Sequence, residues 1–214
     1  MALLSISTIF TFVGFLCCTG LRPVAARVSV NETSWRPIVS CAQPFNILDF
    51  GAVGDGITVK TESIQAAINA AASCPFGGQV LVPFSSRNTS TFVCSSIFLD
   101  NNIELHIDAG AMILADPTIN HWPMLWRPTF SGFGVPGLVN GARCTANSST
   151  ACTSWRPLKN VSITGSGIID GNGFVWWAAS TWWPTVPRPF LLEFAWVDGL
   201  VITGVSLLHS GTCS

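Results

Sequence analysis

Three features of the sequence predict an all-β fold built of stacked rungs, a β-solenoid. An x-Φ-x-Φ-x-x unit, Φ being apolar, recurs at Asn102-Ile103-Glu104-Leu105-His106-Ile107, Asn160-Val161-Ser162-Ile163-Thr164-Gly165 and Gly199-Leu200-Val201-Ile202-Thr203-Gly204. Each unit is followed by an apolar pair, Ile113-Leu114, Ile168-Ile169 and Leu207-Leu208, with Gly, Asn and Asp turns between them and no intervening helix. The chain is also 49% apolar and only 10% charged, so it can repay its ordering entropy by burial. A β-sandwich or jelly roll, which also gives short strands at intervals, is the competing architecture.

Taken in order, Phe45 to Phe50 alternates like a strand and runs into the turn Gly51-Ala52-Val53-Gly54-Asp55-Gly56. Thr61 is placed to cap a helix through Ser73, whose apolar positions Ile64, Ala67, Ile68 and Ala71 fall at helical spacing; it is the one convincing helix of the sequence. Gly77-Gly78 then releases strands at Gln79–Pro83, Thr91–Val93, Ser96–Leu99 and Ile103–Ile107. Between the first two repeats, Pro117 to Pro157 is rich in Trp, Pro and Gly and reads as a long loop, of the kind that walls a binding cleft on one side of a solenoid.

A net charge of -1 over 214 residues excludes a basic nucleic-acid footprint. Met1 to Leu16 is almost wholly apolar and Val24-Ala25-Ala26 offers small residues for cleavage, so residues 1–26 read as a secretory signal peptide. The competing reading is an uncleaved anchor, because no Lys or Arg precedes Arg22; against it, the apolar run falls short of the roughly 20 residues a spanning helix needs. No later stretch could cross a bilayer, so no stable membrane association is expected. Cleavage leaves Cys41, Cys74, Cys94, Cys144, Cys152 and Cys213, an even set suited to an oxidising compartment. Nearness in sequence suggests Cys74 with Cys94 and Cys144 with Cys152. With no Cys-x-x-Cys and with His106, His121 and His209 scattered, neither zinc nor any other cofactor is expected. Asn31, Asn88, Asn147 and Asn160 are N-glycosylation acceptors; Asn88 and Asn147 are the first choices, since Asn160 at a strand start looks enclosed.

Phe45 to Gly56, the Ala-rich helix and Gly77-Gly78-Gln79-Val80-Leu81-Val82-Pro83 resemble the opening of plant-type polygalacturonases, the pectin-degrading enzymes of glycoside hydrolase family 28. More specific are Asn160 to Gly173 running into Trp176-Trp177, then Arg188-Pro189-Phe190-Leu191-Leu192-Glu193-Phe194 and Leu200 to Leu208, in that order. The resemblance covers about Phe45 to Ser210. It implies a right-handed parallel β-helix with the early helix capping its N-terminal end, truncated at the C-terminal end: residues 27–44 a lead-in, residues 45–214 a partial domain. The sequence departs from the family at Ile57-Thr58-Val59-Lys60-Thr61, where relatives carry Asp, and at His209 to Ser214, where they carry Ser-Pro and Trp.

Hydrolysis with inversion needs a carboxylic acid and a carboxylate base roughly 6.5–9.5 Å apart. The resembling proteins supply them from an Asn-Thr-Asp segment and an Asp-Asp pair, with a Gly-His-Gly histidine and an Arg-x-Lys pair for the substrate carboxylate. None of the four motifs occurs in this sequence, so no catalytic residue is assigned. Asp170, Asp108 and Asp198 read as turn residues, Glu193 as an outward strand residue, and His209 as a lone histidine without an orienting partner. Trp176, Trp177, Trp182 and Trp183 are either packing residues or a sugar platform, and Arg127, Arg143, Arg156, Lys159 and Arg188 could meet uronate carboxylates. Phosphate-loop, dinucleotide and Gly-x-Ser-x-Gly signatures are absent.

The expectation is a secreted, monomeric, cell-wall polygalacturonase-like hydrolase acting on pectin, with this chain inactive by itself. Two alternatives are a non-catalytic wall-glycan binder or inert truncated product, and a β-helix lyase or epimerase.

Overall fold

A strand with apolar residues on one face needs a partner for that face, and its unpaired N–H and C=O groups need partners along both edges. This chain meets both needs by coiling. The computed structural model describes residues 41, 43–86, 88–127, 132–141, 157–182 and 188–212. In chain order the elements are β1 (Phe45–Asn46), β2 (Asp55–Val59), α1 (Thr61–Ala72), β3 (Gly78–Val82), β4 (Thr91–Cys94), β5 (Ile97–Phe98), β6 (Ile103–Ile107) and β7 (Met112–Ala115). They continue with β8 (Leu125–Arg127), β9 (Gly132–Gly134), β10 (Val139–Asn140), β11 (Leu158–Gly165), β12 (Ile168–Asp170), α2 (Gly173–Trp182), β13 (Leu192–Glu193), β14 (Val197–Ile202) and β15 (Ser206–Leu208).

Three parallel sheets result: A, ordered β1-β3-β6-β11-β14; B, ordered β2-β4-β7-β12-β15; and C, ordered β5-β10-β13. Each turn of the coil lays one strand on A, one on B and, in three rungs, one on C, which is a parallel β-helix. The repeat units of the sequence are stacked neighbours. Val80, Leu105, Ile163 and Ile202 form one inward ladder on sheet A, Phe92, Ile113, Ile169 and Leu207 one on sheet B, and Ile97, Val139 and Leu192 one on sheet C. These ladders make the core, apart from the half-buried Ile202 and Leu207 of the last described rung.

The corners explain the first and last letters of the repeat. Asn102, Asn160 and Gly199 all have positive φ (56°, 52° and 79°), the left-handed region that Asn and Gly tolerate best, and Asn160 Nδ2 donates to Asn102 Oδ1 at 2.9 Å. At the next corner Gly165 and Gly204 stack so tightly that a Cβ on Gly204 would lie 2.0 Å from the Gly165 carbonyl oxygen.

Several local expectations are revised. The strand at Phe45 stops at Asn46, whose side chain accepts from Leu48 N and starts a 3-10 turn over Ile47–Phe50. Asp55–Val59, read partly as turn, is strand β2. Helix α1 buries Ile64, Ala67, Ile68 and Ala71 as its spacing requires. Thr61 does not cap it; its hydroxyl accepts from Ser95 N at 2.9 Å, and Lys60 stands at the cap without a side-chain bond. The segment from Pro117 to Pro157 is not one loop, because β10 within it is a rung strand of sheet C. The predicted Cys74–Cys94 disulfide is overturned: Cys74 pairs with Cys41, with Cα atoms 6.4 Å apart, and Cys94 is a buried free thiol at the end of β4. Neighbours in sequence point to different places here, since Cys74 follows the capping helix and Cys94 lies inside the coil. Cys144 and Cys152 lie outside the described residues, as do Asn31 and Asn147. Asn88 and Asn160 are both exposed, which removes the expected enclosure of Asn160.

Replacing Leu105 with Ala, which opens the middle of the sheet A ladder, is expected to cost about 2–5 kcal/mol. The same change at the half-buried Leu207 should cost less than half as much, both read from urea unfolding followed by Trp fluorescence.

Candidate functional site

The corner where the chain passes from sheet B to sheet C differs from one rung to the next. From β4 to β5 only Ser95 and Ser96 intervene, whereas the two following rungs insert Asp116 to Leu138 and Gly171 to Leu191 at the same corner. The first insertion carries a 3-10 turn over Ile119–His121 and the antiparallel pair β8/β9; the second carries α2. Helix α2 was not foreseen. Its run Phe-Val-Trp-Trp has no clean helical period, and what fixes it is Trp176, fully buried, whose ring meets Trp122 of the first insertion edge-on with centroids 5.4 Å apart. Trp122 Nε1 donates to the Asp116 carbonyl at 3.0 Å and Trp177 Nε1 to the Ser210 carbonyl at 3.1 Å. The two insertions are therefore pinned to each other and to the rungs beneath them.

Two carboxylate–imidazole pairs occupy this corner. The buried Asp116 accepts from Thr118 N at 2.8 Å and holds His121 Nδ1 at 2.6 Å. Asp170, at the end of β12, accepts from Asn172 N at 2.8 Å and holds His209 Nδ1 at 3.0 and 3.1 Å through its two oxygens. Asn172 Nδ2 reaches across to the Ala115 carbonyl, tying the second pair to the strand that leads into the first. Beneath them, burial and then the negative charge of Asp116 push the Cys94 thiol up to about 12, so it stays protonated through the physiological range.

The turn role read for Asp170 is present, since it bonds the amide of Asn172, but the isolation read for His209 is not: the register that sets Asp170 level with Leu208 brings His209 to the carboxylate from 39 residues away. Asp108 accepts from Phe84 N at 3.1 Å, and Asp198 falls inside β14 beside the positive-φ Gly199 rather than in a free turn. Glu193, read as outward and exposed, is buried and accepts from Gly137 N at 3.1 Å, because residues of the first insertion fold over the end of sheet C. On sheet A, Glu104 accepts from the Thr164 hydroxyl at 2.6 Å, and that hydroxyl oxygen lies 2.8 Å from His106 Nδ1. Trp182 is 78% exposed and Phe174, also on α2, 74%. Lys159 is exposed and Arg188 half-buried, while Trp183, Arg143 and Arg156 lie outside the described residues. Among the described residues no group of three or more His, Cys, Asp or Glu side chains is placed to hold a metal ion.

The comparisons with known proteins agree with this architecture. A probable polygalacturonase of Vitis vinifera is 32% identical over 177 residues, 80% of this chain and 34% of the relative. An exo-poly-alpha-D-galacturonosidase of Dickeya chrysanthemi is 34% identical over 148 residues, 67% of this chain and 22% of the relative. Over the matched residues the chain is similar to part of the polygalacturonase family. It spans about a third of the first relative's length and less of the second's. The crystal structure of a hyperthermoactive exopolygalacturonase from Thermotoga maritima superposes with a TM-score of 0.61 at 23% identity, over 82% of this chain and 44% of that one, which is a likeness of fold. No family model matches the chain.

Two outcomes follow from the corner. Trp176→Ala, which removes the anchor of α2, should cost about 3–5 kcal/mol and expose the helix to limited proteolysis before the rungs unfold. Iodoacetamide at pH 8.5 should leave Cys94 unmodified in the folded protein and alkylate it in urea, while peptide mapping without reduction recovers Cys41 joined to Cys74.

Proposed function

We propose that this polygalacturonase-family chain is a rung-forming portion of a secreted hydrolase of the galacturonan backbone of pectin, and that the 214 residues alone do not cleave the polymer. The observation that carries the reading is the 32–34% identity to two galacturonan-named proteins along a parallel β-helix. The absence of turnover rests on the carboxylates themselves. Asp108, Asp116, Asp170, Glu104 and Glu193 each hold a turn, a neighbouring rung or an inserted segment, and the four motifs that supply acid, base and substrate grip in the resembling enzymes do not occur in the sequence. Residues 1–26 supply the export signal in this reading, and among the described residues no helix is long and apolar enough to cross a membrane. The insertions at one corner, with exposed Phe174 and Trp182, support a second reading, a glycan-binding module without chemistry.

The purified chain is expected to release no reducing ends from polygalacturonate above a buffer blank. Measurable release would refute the inactive reading, and saturable retention on polygalacturonate without release would favour the binding role.

A further inference from the structure

Two of the three histidines in this protein are held in the same way at the same corner. In each, a carboxylate accepts from Nδ1, Asp116 from His121 and Asp170 from His209, while the imidazole stays more than half exposed, at 53% and 59% of the side chain. A carboxylate on Nδ1 fixes the neutral ring as the Nδ1–H tautomer and leaves Nε2 as an acceptor on the far side of the ring. Among the described residues neither Nε2 has a partner. The two pairs also share a frame. Leu114, Asp170 and Leu208 are level on adjacent strands, so Ala115, next to Asp116, lies two strand spacings, about 10 Å, from His209.

Two local features hold the pairs in place. His209 has φ 45°, in the left-handed region that His adopts more readily than most side chains, at the end of β15 where the chain turns toward Asp170. The Trp176 ring, fully buried against Trp122, also lies beside the segment after His209, since a Cβ on Gly211 would sit 3.3 Å from its Cδ1.

We propose that the Asp116–His121 and Asp170–His209 pairs form a sugar subsite at the corner between sheets B and C, the two Nε2 atoms accepting hydroxyl protons from successive units of a saccharide. His121 and His209 are the contacting groups. Asp116 and Asp170 are positioning residues, and the Trp122–Trp176 contact sets the spacing of the two insertions. Asp and His so arranged select a polyhydroxylated ligand; the identity of the sugar as galacturonate rests on the function proposed above.

Asparagine tests this cleanly, because its Nδ2 reproduces the imidazole Nδ1–H bond to the carboxylate and it accepts the positive φ of position 209, yet it has nothing at the position of Nε2. The full chain, H121N, H209N and the double variant are titrated with trigalacturonate by calorimetry, with melting curves recorded for each. The subsite predicts unchanged melting, affinity five- to tenfold weaker for each single variant, about the loss of one hydrogen bond, and a further loss for the double. Unchanged affinity in all variants overturns the subsite and leaves the galacturonan reading standing. Binding of a neutral oligosaccharide with the same dependence on both histidines, and none of trigalacturonate, keeps the subsite and removes the galacturonan reading. No binding of any oligosaccharide by the unaltered chain overturns the subsite, and the polymer assay then judges the function separately.

Discussion

Everything in this protein depends on parallel strands of successive rungs keeping one register. Because Glu104, Ser162 and Val201 are level on sheet A, and Met112, Ile168 and Ser206 on sheet B, each backbone group finds its partner in the rung above or below and each inward side chain lies on another of its kind. A one-residue slip would turn Leu105 and Ile163 outward and Glu104 and Ser162 inward, burying a carboxylate in the coil. The positive-φ residues Asn102, Asn160, Gly199, Gly165 and Gly204 hold that register at the corners. With Cys41–Cys74 closing a stretch of 33 residues around α1, the first rungs gain a staple worth about 3–4 kcal/mol in the chain-entropy account.

Fixed register is also what makes a site possible. Strands of two to eight residues leave the corners as the places where the chain can lengthen without breaking the stack, and both long insertions leave by the corner between sheets B and C. Once there, their exits are one strand spacing apart, so Trp122 meets Trp176 and the two carboxylate–imidazole pairs share a wall. Several carboxylates of this sparsely charged protein serve such tasks. The Glu104–Thr164–His106 chain joins two rungs of sheet A and Glu193 fastens the first insertion to sheet C.

How much of this could be read beforehand differs by element. The three repeat units and their apolar pairs located sheets A and B because alternation and turn residues are local, and Ile64, Ala67, Ile68 and Ala71 located the buried face of α1. The resemblance to polygalacturonases gave the parallel β-helix that periodicity alone left beside a sandwich. The sheet C strands were harder, since Val139–Asn140 and Leu192–Glu193 are two residues long and carry no alternation. Helix α2 is not legible because its aromatics follow the packing of Trp176, and Thr61 misleads because its hydroxyl serves Ser95 at a rung corner 34 residues away.

By itself the sequence determined the repeat units and their turns, the buried face of the early helix and the composition that favours burial. The tertiary structure alone decided the partner of Cys74, the burial of Cys94 and Glu193, and the pairing of Asp170 with His209 and of Trp122 with Trp176. The reason is physical. Periodicity and turn chemistry act between residues a few positions apart, whereas these contacts join segments that become neighbours only when the coil brings successive rungs to strand spacing.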